Sequence, residues 1–340
     1  MSPLMQFYVT ELLVLFSVNI IAVWALDLQF GVTGINNFGF IIFQSVGAYA
    51  GAVFTLGSQS ANGGFQHFIG GAHLPYPWSV IAAGIVAGIV AIPIGHMGIS
   101  RLRGDYQAIV MLVLAVMAVN IANAAVNIVN GPAGLSLVPQ PLAQYFHSSL
   151  EYAWVYVALS LVWALFAFYV VRGVTAAPLG RRLRAIRESE SAASALGINV
   201  AQMKMRVFVI GAMLAGVSGA VYVQYLGSWG PTSWAYTETF VFFTAIVVGG
   251  TGNMLGAALG VALVPIAFQE LTRFFPNVGY PGMSASLQWV LIGILMLVFM
   301  WFRPRGLIPE RRRTFRGGKV LALRKAPVIE RTSAGMSSDG

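Results

Sequence analysis

Cysteine is missing from all 340 residues, so neither a disulfide nor a thiolate metal site can form. Histidine is confined to His67, His73, His96 and His147, with no HxxxH or HExxH spacing, which leaves zinc and haem without support and no metal site expected. Charge is scarce: Asp, Glu, Lys and Arg make up 9% of the chain, against roughly 25% in an ordinary soluble domain. So little charge cannot coat a water-facing surface of this size, and a free cytosolic enzyme or a disordered regulator is excluded. Lys and Arg are absent until Arg101. No basic stretch leads into the first apolar run, which is therefore expected to stay as a helix and not to be removed as a signal peptide.

Acids at membrane depth are lacking too. Glu11 lies near the start of the first apolar run, and Asp27, Asp105, Glu151, Glu238 and Glu270 lie at the ends of such runs. Glu188 and Glu190 sit in a polar stretch, and Glu310, Glu330 and Asp339 in the tail. Intramembrane acids mark proton or sodium coupling. With none at a midplane, an ion-coupled transporter and an intramembrane hydrolase are disfavoured, and no catalytic residue is expected. A pore driven from elsewhere remains.

What is present is apolar sequence: 57% hydrophobic residues, a mean hydropathy of +0.76 and 38 glycines. The runs are continuous and not alternating, which speaks for helices and against a β-barrel. A span needs about 20 apolar residues. Candidates lie near 7–26, 38–56, 79–98, 106–129, 151–171, 205–226, 237–249, 254–271 and 286–302. The fold expected is all-α, a polytopic helical membrane protein with about 8–10 transmembrane helices and broken or re-entrant segments. Residues 1–303 form one membrane domain with a cytoplasmic segment at 178–204, and 304–340 form a basic, disordered cytoplasmic tail.

Lys and Arg collect on the cytoplasmic side of membrane proteins. The basic segments near 102, 181–187 and 303–319 should share that side, so an even number of crossings must separate them. Parity demands that the apolar stretch 236–271 be broken, and VVGGTGNMLG places the break at Gly249–Gly252. It also puts the amino terminus outside, with residues 29–37 able to hold a further half-helix. The loops 57–77 and 130–150 then fall outside, as connectors or as a surface for an extracytoplasmic partner. Most of the net charge of +9 lies in the tail, which lacks aromatic interleaving and any nucleic-acid motif. No nucleic-acid partner is expected; membrane lipid is.

Two glycine-rich stretches interrupt the apolar pattern, GVTGINNFGFIIFQSVGAYAG at 31–51 and VVGGTGNMLGAALG at 247–260. Paired broken helices in the two halves of a transporter point to a translocation path. The candidates are Asn36, Asn37 and Gln44 in the first stretch, and Gly249, Gly250, Gly252 and Asn253 in the second. Asn120 and Asn123 join them as polar groups in the run 106–129. Tight helix packing through small residues and interhelical amide bonds is the alternative for each.

A third constellation is GRRLRAIRESESAASALGINVAQMKMR, 180–206, too charged to insert. Ala192, Ala193, Ala195 and Leu196 form one small apolar face, Gly197 is the C-cap, and Arg184, Arg187, Glu188, Glu190 and Ser191 surround it. A short helix with such a face suits docking into another protein's groove. An amphipathic helix resting on headgroups is the alternative, weakened by the lack of Trp or Phe.

At this helix the chain resembles the permease subunits of ABC importers for branched-chain amino acids, in particular the longer of the paired permeases. RLRGDYQAIVMLVLA, NGPAGL, GRRLRAIRESESAASALGINV, AGVSGAVYVQYLG, VVGGTGNMLGAALG and FRPRGLIPE match in order from about residue 101 to 310, and SVGAYAG extends the match toward the amino terminus. The resemblance implies a pore shared with a second homologous permease, two cytoplasmic ABC ATPases that bind ATP and Mg, and a periplasmic substrate-binding protein. This chain would bind no cofactor itself. It would lie in the bacterial inner membrane. The family's coupling helix carries Glu-Ala-Ala, three residues, then Gly; Ala192, Ala193 and Gly197 keep that spacing, with Ser191 at the Glu position. The cargo implied is branched-chain or related amino acids. Urea or a short amide is the alternative within the family, and an ATP-independent channel the alternative outside it.

Overall fold

The computed structural model describes residues 2–57, 65–99, 104–273 and 283–310. Arg101, Arg103 and the tail beyond Glu310 lie outside the described residues, as does the expectation that this tail is disordered. Among the described residues the regular structure is all helical, with no strand and two isolated bridge pairs.

The helices are α1 (Pro3–Asp27), α2 (Phe40–Thr55), α3 (Trp78–Ile99), α4 (Gly104–Ala124), α5 (Val126–Val129), α6 (Ser149–Ala176) and α7 (Pro178–Glu188). They continue with α8 (Glu190–Ala195), α9 (Val200–Leu226), α10 (Tyr236–Gly249), α11 (Met254–Val261), α12 (Gln269–Arg273) and α13 (Met283–Phe302). Each of the nine expected spans falls on a helix. Among the described residues six helices are long and apolar enough to cross a membrane, counting Pro3–Val32 and Met254–Leu271 as continuous helices; Phe40–Thr55 and Ser286–Phe302 are shorter apolar ones.

Local chemistry sets the ends. Pro3 occupies the first turn of α1 and Ser2 caps it. Asn199 caps α9 by accepting the Gln202 N–H at 3.0 Å, and Gly227 ends it at φ +73°. The run after α11 widens into a π-helical segment, Ala262–Phe268, around Pro265, whose ring cannot complete an ordinary helical turn. Residues 28–32 likewise prolong α1 as a π-helical turn, where the sequence suggested a separate half-helix.

α9 is the central element, packed against α1, α2 and α3. It crosses α2 at bare backbone: a methyl on Gly219 would lie 1.9 Å from the Gln44 carbonyl oxygen, and one on Gly47 2.2 Å from Gly216 Cα. Without water to drive association, such close packing and buried hydrogen bonds hold membrane helices together. Gln44 Nε2 donates to Ser218 Oγ at 3.1 Å, and Ser218 donates to the Val18 carbonyl at 2.9 Å, joining α2, α9 and α1. The Tyr156 hydroxyl donates to the Val221 carbonyl at 2.6 Å and ties α6 to α9. α10 and α11 form a helical hairpin that closes at Gly250–Asn253, as parity required.

The loops at the other end are knitted together. Gln66 exchanges two hydrogen bonds with Ser136, and Leu135 exchanges two with Trp229. Asn130, at φ +63°, accepts the His67 N–H and donates to the Gly134 carbonyl, so NGPAGL is the knot that fastens loop to loop.

Candidate functional site

The polar stretch 178–199 folds as two short helices beside the bundle. Pro178 starts α7, whose Leu183 and Ile186 are buried while Arg181, Arg182 and Glu188 are exposed. Ser189 then breaks the run in an extended conformation and caps α8 by accepting the Ala192 N–H at 3.3 Å. α8 ends in a Schellman turn: Ile198 N–H bonds the Ala193 carbonyl, Gly197 N–H bonds the Ser194 carbonyl, and Gly197 sits at φ +80°.

The expected apolar face of α8 is divided. Ser191, Ala192, Ala195, Leu196 and Gly197 are exposed, and Leu196 is 81% exposed, whereas Ala193 is turned inward and buried. Glu190 is bound to the buried ammonium of Lys204 at the start of α9, which anchors α8 to the bundle.

Arg184 and Arg187 point inward. Arg184 Nε bonds Glu310 Oε1 at 2.5 Å, and Arg187 Nη2 bonds Glu310 Oε2 at 2.8 Å. Arg187 Nη1 also donates to the Gly31 carbonyl, while its stem passes Gly34, which is held at φ +78°. Asp27 Oδ1 accepts the Gly252 N–H at 2.8 Å. The two glycine-rich stretches thus meet each other and the polar segment at one place. Glycine is needed there: a methyl on Gly31 would lie 2.0 Å from Asp27 Oδ1 and 2.5 Å from Gly252 N.

Gly249, Gly250, Gly252 and Asn253 form the turn of the α10–α11 hairpin, at the end of the bundle where α7 lies. Asn253 caps α11 through Leu255 N–H and donates to the carbonyls of Ile308 and Pro309, each at 3.2 Å. In the first stretch, residues 33–39 are non-helical and largely buried in protein, the setting in which irregular backbone is tolerated at membrane depth. Asn37 Nδ2 donates to Gln29 Oε1 at 2.8 Å, and Gln29 Nε2 to the Phe208 carbonyl at 2.9 Å; Asn36 is half-buried. Gln44 belongs to the α2–α9 crossing. Asn120 is exposed and Asn123 half-buried on α4, each bonding the carbonyl four residues back.

A cavity of about 570 Å³ opens between α2, α3 and α4, with an almost wholly apolar wall that includes Met117, Ile121, Ser45, Tyr49 and Trp234. None of the nine amides and glycines expected along a path lines it. Sequence reasoning missed this cavity because its wall is aliphatic, like every span. It also missed Asp27 and Glu310, since an acid at the end of an apolar run looks like an ordinary boundary residue.

A profile of the family described as "Branched-chain amino acid transport system / permease component" matches residues 8–300. The chain belongs to that family. It is similar to the probable branched-chain amino acid transport permease protein LivM of Methanocaldococcus jannaschii, 28% identical, with 89% of this chain and 94% of that protein covered. The high-affinity branched-chain amino acid transport system permease protein LivM of Escherichia coli is 27% identical over 84% of this chain and 67% of its own. The corresponding LivH protein of Escherichia coli is 26% identical over 67% of this chain and 76% of its own. No solved structure matches. This branched-chain permease-family member is therefore a multi-pass, LivM-like permease subunit of an ABC importer.

Proposed function

We propose that this permease subunit passes branched-chain amino acids inward across a bacterial inner membrane, with ATP hydrolysed by two partner ATPases. The chain itself performs no chemistry and binds no cofactor; ATP and Mg belong to the partners. The exposed face of α8, centred on Leu196 and the Gly197 turn, is the docking surface for an ATPase groove. One observation carries this reading: the segment that presents Leu196 is joined through α7 to both broken stretches. A self-sufficient channel has no use for such a segment. The loop knot at the opposite end faces the periplasmic binding protein, and the carboxy-terminal tail is cytoplasmic.

The second permease would cover α4. This helix is the least buried of the six long spans, with Asn120 exposed beside Ile109, Val113, Met117 and Ile121. An exposed amide in an apolar span is better matched by a neighbouring helix or a polar path than by lipid tails. Branched-chain cargo is favoured over urea or amides because the family and the relatives named above share it, and because the cavity between α2, α3 and α4 has an aliphatic wall.

The test is uptake into proteoliposomes holding this chain with its co-purifying partners, offered labelled leucine, urea and acetamide, with and without ATP and binding protein. ATP-dependent leucine uptake is expected. Uptake of urea or acetamide alone would replace the cargo, and uptake indifferent to ATP would return the channel.

A further inference from the structure

The segment FRPRGLIPE, 302–310, ends in Glu310, the carboxylate through which α7 is joined to the second broken stretch. In the structure it turns back at Gly306, φ +67°, and lies along the α10–α11 turn. Leu307 N–H bonds the Val248 carbonyl and Ile308 N–H the Gly249 carbonyl, both at 2.9 Å. Asn253 returns two bonds to the Ile308 and Pro309 carbonyls. These four hydrogen bonds deliver Glu310 to a fixed point, where its two carboxylate oxygens take Arg184 and Arg187 separately.

The circuit closes on itself. Arg187 reaches on to the Gly31 carbonyl at the end of α1, and Asp27 of α1 holds the Gly252 N–H of the hairpin turn. A methyl built on Gly252 would lie 3.1 Å from Arg187 Nη1, 3.2 Å from Glu310 Oε2 and 3.2 Å from the Gly31 oxygen, so all four groups converge there. Two guanidinium groups share the one carboxylate of Glu310, and the side chains of Arg184, Arg187 and Glu310 are 29%, 28% and 24% exposed. Ion pairs shielded to this degree are screened far less by salt than surface pairs, and divided carboxylate bonding fixes geometry as well as distance.

We propose that Glu310 is a positioning residue for transport: it locks α7 to the end of α1 and to the α10–α11 turn, so that the three move as one body. Displacement of α7 by a docked ATPase then reaches both broken stretches directly, without passing through α6 or α9. This rests on the importer reading above, because it needs a partner that moves α7.

The absence of native cysteine makes a clean measurement possible. Spin labels placed at Arg181→Cys and Leu255→Cys, both exposed, report the distance between α7 and α11 in the complete importer. With Glu310 intact, a single narrow distance is expected both without nucleotide and with trapped ATP. Glu310→Gln should broaden it or make it nucleotide-dependent. The same substitution should cut leucine transported per ATP hydrolysed by about fivefold or more, the low end of ordinary coupling energies. Should Glu310→Gln not assemble, Arg187→Lys applies the same test, since one ammonium cannot span Glu310 and the Gly31 carbonyl as a guanidinium does. A narrow, unchanged distance with an unchanged ratio in the variant overturns the proposal. ATP-independent uptake by the unsubstituted complex would overturn the importer reading instead, and the distance in Glu310→Gln would still decide the lock.

Discussion

Lys204 is a buried ammonium whose partner, Glu190, is itself largely exposed. Burial makes the loss of that partner expensive, and the exposure of Glu190 lowers the cost by letting water compete. Glu190→Gln should therefore destabilise the chain by about 1–3 kcal/mol, read as a lower midpoint in thermal unfolding of the detergent-solubilised protein. Lys204→Met combined with Glu190→Gln should recover part of that loss, because no buried charge is then left unpaired. Equal midpoints for the single and double variants would show that Lys204 reaches water by itself. Leu196 is the opposite case. It is almost free of the chain, so Leu196→Arg should leave the unfolding midpoint within about 0.5 kcal/mol of the parent while weakening ATPase co-purification. Retention of the ATPases would remove α8 from the docking surface.

At the scale of elements, the α2–α9 crossing depends on contact without side chains. Gly219→Ala puts a methyl 1.9 Å from the Gln44 carbonyl oxygen, so the helices must separate and the Gln44–Ser218–Val18 chain of bonds must break. Loss of monodisperse protein on size exclusion is the expected result. Gly173→Ala in α6 is the control, since a methyl there meets nothing within 4 Å. It should be neutral or stabilise by about 0.5–1 kcal/mol through the helix preference of alanine. Comparable yields from the two variants would refute the close crossing. The Schellman turn after α8 makes Gly197 sensitive in a different way: Gly197→Ala strains a left-handed residue but touches no neighbour. Its effect should fall on coupling to ATP hydrolysis far more than on the fold.

At the scale of the whole molecule, the described residues form a bundle tied together by buried hydrogen bonds to α9, with a barely covered α4. If α4 meets the second permease, Ile121→Cys in this cysteine-free chain should cross-link to a cysteine scanned along the co-purified partner permease. Labelling by lipid-soluble maleimide alone, with no cross-link at any partner position, would place α4 against the bilayer. Much of this scale was legible beforehand. The nine apolar runs each fall on helix among the described residues, and the break at Gly249–Gly252 followed from the distribution of Arg and Lys. The candidate site was legible in part. The segment 184–197 was marked by its composition, but Ala193 and the two arginines face the bundle, which helical spacing alone could not reveal across the interruption at Ser189.

Composition by itself determined that the chain is a helical membrane protein, because 9% charge cannot solvate a surface and continuous apolar runs cannot be barrel strands. Motif order determined the family. Tertiary structure alone decided which polar residues work together. Asp27, Gly31, Arg187, Gly252 and Glu310 are scattered along the chain, and nothing in any one segment says that they meet. A membrane protein cannot leave such groups unpaired where water is excluded, so the folding of four distant segments to one point brings each its partner. Residue types and spacing announce what a segment must avoid; only the packed bundle shows which of its charges meet.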